Sequence, residues 1–474
     1  MAQRLVTFIV SIVLARLLAP EQFGLIGMLT IFIAVAQTFI DSGFTSALIQ
    51  KKDHDRTDEC SVFYFNILIG LLAYAAICVG APFIADFYNE PLLVPLTRVI
   101  GVRLIINPFG MIQRTLLNKK LDFRSLTGAM FAASLLSGIL GITLAYQGFG
   151  VWALVYQQLA AAVLQTVFFW IVNPWRPSLV FSFASIRTLF SFGSKLLASA
   201  LLETFFRNIY LVIIGKMFTP AALGFYTKAH SLERMPTLTL TQVVRNVMFP
   251  VFSHIQDDKA RLQRAMSRAL AFLVMLIFPI MIGLAVVARP FVLLLLTEKW
   301  LPCVPYLQLL CIAGMLYPLH VLNLNVIKSV GRSDLFLKLE IMKKGLTIVN
   351  ISIAWNWGIM GLIFGQVIGS IIAYTLNARY THMTADYPMR SQIRDVSPYL
   401  GASIVMAIAA YSLNWTPLAA NDWSLLIGQI VTGGFVYVAL CWIFRFPAFT
   451  EGTDILRAAV TGRVKKYTIR RQAV

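Results

Sequence analysis

Arginines recur along apolar stretches of this chain at spacings that could hold an anion. Arg103, Asn107, Gly110 and Arg114 fall on one helical stripe, because the interval from 103 to 114 is close to three turns. Arg234, Thr241 and Arg245 make a second stripe by the same arithmetic, and Lys195, Ser199, Glu203 and Arg207 step by four along a slowly drifting face. Thr30, Gln37 and Asp41 share another apolar run, and Glu340, Lys343 and Lys344 a later one. Ionisable groups at membrane depth are costly and so face a cavity or a partner. The planar guanidinium fork matches phosphate oxygens. With bases outnumbering acids, the expected ligand carries a phosphate or pyrophosphate headgroup, with or without acidic sugars.

Each group also has a bland reading. Glu203 and Arg207 are an i, i+4 pair and either neutralise one another or face a cavity. Arg114, Lys343 and Lys344 lie close enough to the inner face to snorkel. Arg103 sits near the middle of its run with no acid nearby in sequence, so it is the hardest to dismiss. Asp41, Glu203 and Glu233 are the candidates for carrying a coupling ion, against a salt-bridge role for each. The five cysteines (Cys60, Cys78, Cys303, Cys311, Cys441) and five histidines are dispersed without metal-ligand or C-x-x-C spacing. No metal, cofactor or catalytic residue is therefore expected, and the chain is not read as an enzyme.

These residues have to be positioned by membrane helices. The chain is 58% hydrophobic and only 13% charged, with a mean hydropathy of +0.75, whereas soluble domains carry about 25% charged residues. The roughly ten-residue alternation of a membrane barrel is absent. Apolar runs predict about 14 helices, near 5–18, 23–40, 62–84, 92–117, 126–146, 151–172, 189–214, 222–253, 270–287, 304–327, 335–354, 359–378, 399–414 and 424–444. The first run is short for a span, so either the start of its helix lies outside the chain or its bounds are misplaced. The net charge of +19 first suggests nucleic acid, but with a cytoplasmic N-terminus only Lys216, Arg289 and Lys299 fall on outer loops. The positive-inside rule then puts both termini in the cytoplasm and makes the basic balance topological, with no nucleic-acid partner. Basic residues of the tail, from Arg457 to Arg471, are expected on anionic headgroups.

The chain also repeats itself. Arg16-Leu-Leu-Ala-Pro20-Glu-Gln-Phe-Gly24-Leu25 returns about 200 residues later as Lys216-Met-Phe-Thr-Pro220-Ala-Ala-Leu-Gly224-Phe225, and Gly150-Val-Trp-Ala-Leu-Val-Tyr-Gln-Gln158 as Gly358-Ile-Met-Gly-Leu-Ile-Phe-Gly-Gln366. The two copies keep the same orientation, so they are parallel repeats about an axis along the membrane normal. The expected architecture is all-α: an N-lobe (1–175), a C-lobe (176–380), an added helix pair (381–450) and a basic cytoplasmic tail (451–474). Pro20 and Pro220 suit helix starts, and Gly24 and Gly224 would allow close helix approach. Arg16 and Lys216 close repeat-related helices and either snorkel or face a cleft between lobes.

The run from Phe8 to Gly27, with Asp41-Ser-Gly-Phe44, Ala47-Leu-Ile-Gln-Lys-Lys52, Phe87-Tyr-Asn-Glu-Pro91, Gln113-Arg114 and Leu121-Asp-Phe123, closely resembles bacterial polysaccharide exporters of the colanic-acid/teichuronic-acid type. These are Wzx-like lipopolysaccharide-biosynthesis flippases of the multidrug/oligosaccharidyl-lipid/polysaccharide (MOP) superfamily. The resemblance covers nearly the whole chain and implies a twelve-helix core of two six-helix lobes around a cleft lined by helices 1, 2, 7 and 8. It implies export of undecaprenyl-pyrophosphate-linked oligosaccharide across the bacterial inner membrane by alternating access, with membrane lipids and polysaccharide polymerase or export machinery as further partners. Cleft bases would then be drawn from Arg16, Arg207, Lys216, Arg234 and Arg245, beside Arg103 and Arg114. The alternatives are a membrane polymerase or ligase, which would need a sizeable outer loop, and a multidrug/cation antiporter, which would favour acids over bases.

Overall fold

The computed structural model describes residues 2–41, 48 and 55–460. The apolar runs fall in helices, the 92–117 run being divided at Val102 into two. Among the described residues, eleven stretches are long and apolar enough to cross a membrane, and no strand is present. The contacts divide the chain into two compact units, Met1–Thr227 and Lys228–Val474.

The first unit contains α1 (Ala2–Leu17), α2 (Pro20–Asp41), α3 (Arg56–Tyr88), α4 (Leu93–Gly101), α5 (Arg103–Lys119), α6 (Phe123–Tyr146), α7 (Val151–Val172), α8 (Phe183–Met217) and the start of α9 (Pro220–His254). Because lipid cannot hydrogen-bond an exposed backbone, these long helices satisfy their own amides internally. Side-chain packing then joins them. Val10 and Leu14, one turn apart on α1, bury with Leu18 against Ala145, Ala153 and Leu154 of the α6–α7 hairpin. Gly138 keeps that seam tight, since a Cβ there would lie 2.4 Å from Val10 Cγ2. Phe63 on α3 is the centre of an aromatic cluster, edge-on to Phe109, Trp170 and Trp175. α3 begins at a capping box of Asp55 and Asp58, each carboxylate accepting from the other's backbone N–H.

The twin corner motifs meet each other. Pro20 and Pro220 open α2 and α9, where a missing N–H costs no helical bond. A Cβ on Gly24 would lie 1.8 Å from the Pro220 carbonyl oxygen, and one on Gly224 1.9 Å from that of Pro20. The first turns of α2 and α9 therefore cross in reciprocal backbone contact that only glycine permits.

The second unit holds the rest of α9, α10 (Lys259–Val286), α11 (Ala288–Leu296), α12 (Val304–Ser329), α13 (Ser333–Ala354), α14 (Gly358–Ala385), α15 (Met389–Tyr411), α16 (Asp422–Ile443) and α17 (Pro447–Val460). Buried amides join α12, α14 and α15. Asn323 and Gln392 exchange bonds of 3.3 and 3.2 Å, and Tyr374 donates to Gln392 Oε1 at 2.8 Å. His320 bridges Ser370 and Asn377 at 3.0 Å each. Such polar seams hold helices together where apolar burial gives no preference over lipid, although the buried Asn377 Oδ1 meets no described partner.

The duplication is written in the backbone as well. Leu121 and Gly331 both take left-handed φ values (58° and 76°). Each ends a helix through the same turn, Asp122 N–H to Leu117 O at 3.0 Å and Arg332 N–H to Ile327 O at 3.2 Å. Gly150 and Gly358, which open the second repeated motif, are likewise left-handed (58° and 70°) just before α7 and at the start of α14.

Candidate functional site

A polar cavity of about 350 Å³ opens inside the first unit, among α2, α5 and α7. The α5 stripe forms one wall: Arg103, Asn107, Gly110 and Arg114 all line it, as a spacing near whole turns requires. α2 contributes Gln37 and Asp41, one turn apart, and α7 contributes Gln158 and Gln165, two turns apart. Gly110 sets the closeness of α5 to α7, since a Cβ there would come within 3.1 Å of Thr166 Oγ1.

Its hydrogen bonds run in one direction on the acidic side. Asn107 Nδ2 donates to Gln37 Oε1 at 2.7 Å, and Gln37 Nε2 donates to Asp41 Oδ1 at 3.1 Å. On the basic side Arg103 Nη1 donates to Gln158 Oε1 at 2.8 Å, while its buried Nε meets no described partner. Arg103 thus rests on a neutral amide and keeps donors available, and no described ion pair engages Arg103 or Arg114. With two guanidinium groups and one carboxylate, the cavity carries a net positive charge. In a medium that weakly screens charge it favours an anion with several acceptor oxygens.

The other candidates lie elsewhere. Arg16 is exposed in the last turn of α1. Lys216 closes α8, where its ammonium donates to the Phe87 carbonyl and lies 4.9 Å from the Phe87 ring centroid. Arg207 and Glu203 form an ion pair on α8, with both side chains more than half exposed. Glu233 is buried on α9 in the second unit. It accepts from the Thr237 hydroxyl at 2.9 Å and fits against Gly314, where a Cβ would meet Glu233 Oε1 at 2.2 Å. Arg234 follows it, half-buried. The side chains of Arg245 and Lys195 lie outside the described residues, as do residues 42–47 and 49–54 of the resembling motif and the tail beyond 460. Lys343 and Lys344 both pair with Glu340 on α13.

Sequence reasoning passed over Gln158 and Gln165. Their two-turn spacing in an otherwise apolar run was the available signal. It also passed over Lys228, which is buried on α9 with Nζ 5.8 Å from the Trp300 ring centroid.

A multi-pass helical membrane protein with a charged cavity inside its helices is the class that fold and site define. Solved structures share the fold: a lipid II flippase, MurJ, in an inward closed conformation (TM-score 0.74, 14% identity, covering 94% of this chain and 96% of that one), and an inward-facing multidrug resistance MATE family transporter of the MOP superfamily (TM-score 0.60, 18% identity, covering 81% and 94%). The chain belongs to the polysaccharide biosynthesis protein family, whose model matches residues 13–305. It is similar to the teichuronic acid biosynthesis protein TuaB of Bacillus subtilis, 28% identical over 86% of this chain and 85% of that one. It is also similar to the lipopolysaccharide biosynthesis protein WzxC of Escherichia coli (28%, covering 76% and 75%) and the succinoglycan biosynthesis transport protein ExoT of Rhizobium meliloti (26%, covering 69% and 66%).

Proposed function

We propose that this protein is a flippase that moves an undecaprenyl-pyrophosphate-linked oligosaccharide across the bacterial inner membrane for surface polysaccharide assembly, by alternating access of its two repeated lobes (1–175 and 176–380). Family membership supports the polysaccharide context, and the net-basic cavity supports a pyrophosphate-bearing cargo. The single observation that carries the reading is Arg103, a guanidinium inside apolar helices whose hydrogen-bonded partner is the neutral Gln158. A buried cation held by an amide retains its electrostatic reach toward an anion, whereas one locked to a carboxylate does not. Asp41 and Glu233 are proposed as the sites of any coupling proton or cation. Arg16, Arg207, Lys216, Arg234 and Arg245 are proposed as further contacts for the cargo. Both termini are proposed to be cytoplasmic, in agreement with the placement of basic residues.

No polymerase or ligase activity belongs to this reading. Such enzymes would need a sizeable outer loop to hold acceptor sugars, and the connections read as outer ones are short. A cation antiporter would need an acidic excess, and the cavity has the opposite. The decisive experiment reconstitutes the full chain in vesicles with a fluorescent lipid-linked oligosaccharide and measures the rate at which the headgroup becomes accessible from the opposite leaflet. Wild-type protein accelerates that exchange without releasing pyrophosphate, and Arg103→Ala slows it at least tenfold at equal protein content. Exchange at the protein-free rate, or release of pyrophosphate, overturns the proposal.

A further inference from the structure

The second unit holds a separate basic pocket of about 300 Å³ at the N-terminal ends of α10 and α15, lined by Arg264, Ser267, Arg268, Ser391, Arg394 and Asp395 among others. The two helices run parallel: Ser267 pairs with Asp395 near their starts, and further along a Cβ on Gly283 would lie 3.8 Å from Met406 Cε. Both helices therefore bring the positive ends of their dipoles to the same side of the unit.

The carboxylate in this pocket is already occupied. Asp395 accepts from the Ser267 hydroxyl and, at 2.6 Å, from the Tyr387 hydroxyl. Its contact with Arg394 is loose, 3.8 Å from Nε, and the Arg394 side chain is 81% exposed. Among the described residues no ion pair or hydrogen bond engages Arg264 or Arg268, which stand one turn apart on α10. Three guanidinium groups thus border a concave space with one satisfied acid, leaving about two positive charges uncompensated. All three arginines are exposed, but two helices bring them to one concave space beside Ser391, whose hydroxyl is not engaged by Asp395, at the end of a membrane helix where lipid headgroups lie.

We infer that this pocket binds the phosphate of an anionic phospholipid headgroup, with Arg264, Arg268 and Arg394 contacting the phosphate oxygens. The site is separate from the cavity of the first unit and does not depend on the flippase reading. Phosphate chemistry is common to a lipid headgroup and to a soluble phosphate, and the test separates the two.

The full chain in detergent is titrated with phosphatidylglycerol, phosphatidylethanolamine, glycerol 3-phosphate and inorganic phosphate. Bound lipid is counted by native mass spectrometry and the melting temperature is followed. Phosphatidylglycerol is expected to bind and raise the melting temperature. The double variant Arg264→Gln/Arg268→Gln should weaken it at least tenfold, and Arg289→Gln, which lies away from the pocket, should leave it unchanged. Should the double variant fail to fold, Arg394→Gln, altering an exposed side chain, tests the same point with an expected loss of about threefold or more. Glycerol 3-phosphate or inorganic phosphate binding as tightly as the lipid, and lost in the same variants, keeps the phosphate site and assigns it to a soluble anion. Equal binding of phosphatidylethanolamine, or undiminished phosphatidylglycerol binding in folded variants, overturns the inference.

Discussion

Gln158 decides what Arg103 can do. An arginine in an apolar helix bundle has three outcomes: it snorkels, it locks onto an acid, or it stays charged toward a cavity on neutral partners. The 2.8 Å bond from Nη1 to the Gln158 amide selects the third. Replacing Gln158 with Leu removes that acceptor while filling similar volume, leaving a buried guanidinium without its partner at a cost of about 1–3 kcal/mol. Glycan export by Gln158→Leu is expected to fall at least fivefold, with Arg103→Lys no better, because an ammonium lacks the fork that spans two oxygens. Export at wild-type level from equal amounts of either variant would remove Arg103 from the cargo pathway.

At the scale of elements, the reciprocal corner is the strictest feature of the first unit. Both glycines face backbone carbonyl carbon and oxygen, which cannot swing aside as a side chain can. Gly24→Ala and Gly224→Ala must each push α2 and α9 apart, at about 1–3 kcal/mol or more. Each should lower the melting temperature and the yield of folded protein, whereas Gly80→Ala, with open space around it, should not. The turn at Leu121 tests the opposite sign. A leucine held at φ 58° pays about 1–2 kcal/mol for its left-handed conformation, and the equivalent turn in the second repeat uses Gly331. Leu121→Gly should raise the melting temperature, and a drop would mean that the exposed leucine makes a contact worth more than the strain. Much of this level was legible in the sequence. Helical periodicity put Arg103, Asn107, Gly110 and Arg114 on one face, and that face does line a cavity. Apolar runs located the helices, although α3 and α8 extend several residues past the predicted ends into polar sequence. A duplicated motif reveals that two corners are alike but not that they touch, because reciprocal contact is a property of packing. Gln158 and Gln165 were obscured for a related reason. An uncharged amide in an apolar run is cheap enough to lie anywhere, and only the neighbouring helices show what it faces. The position of Lys216 allows two readings, snorkelling to headgroups or facing a cleft. Its bond to the Phe87 carbonyl, made by the far end of α3, could not be anticipated from a sequence separation of this size.

On the scale of the whole molecule, the +19 charge makes a prediction that none of its individual residues makes. Orientation in a membrane follows from where Lys and Arg sit in short loops near helix ends, and acids contribute little. The helix ends and connections at the starts of α3, α6, α10, α13 and α15 each carry basic residues: Arg56, Lys119 with Lys120, Lys259, Arg332 and Arg390. The intervening connections are poor in them and rich in tryptophan, as at Trp355, Trp357, Trp415 and Trp423, which suits an interface anchor on the opposite side. A fluorescent protein fused after α17 should therefore fluoresce, since it folds only in the cytoplasm. Alkaline phosphatase inserted between α15 and α16, within residues 412–421, should be active, since it needs the oxidising outer compartment. The reverse pair of results would invert the molecule, place the basic pocket of the second unit on the outer leaflet, and require the phosphatidylglycerol experiment to be repeated from that side. Transferring basic residues into the 412–421 connection supplies the causal arm. If loop charge sets the orientation of the last hairpin, several added lysines there should lower phosphatase activity of the insertion, while the same number of added glutamates should leave it intact. Equal effects of both would show that helix packing, and not charge, holds the pair in place.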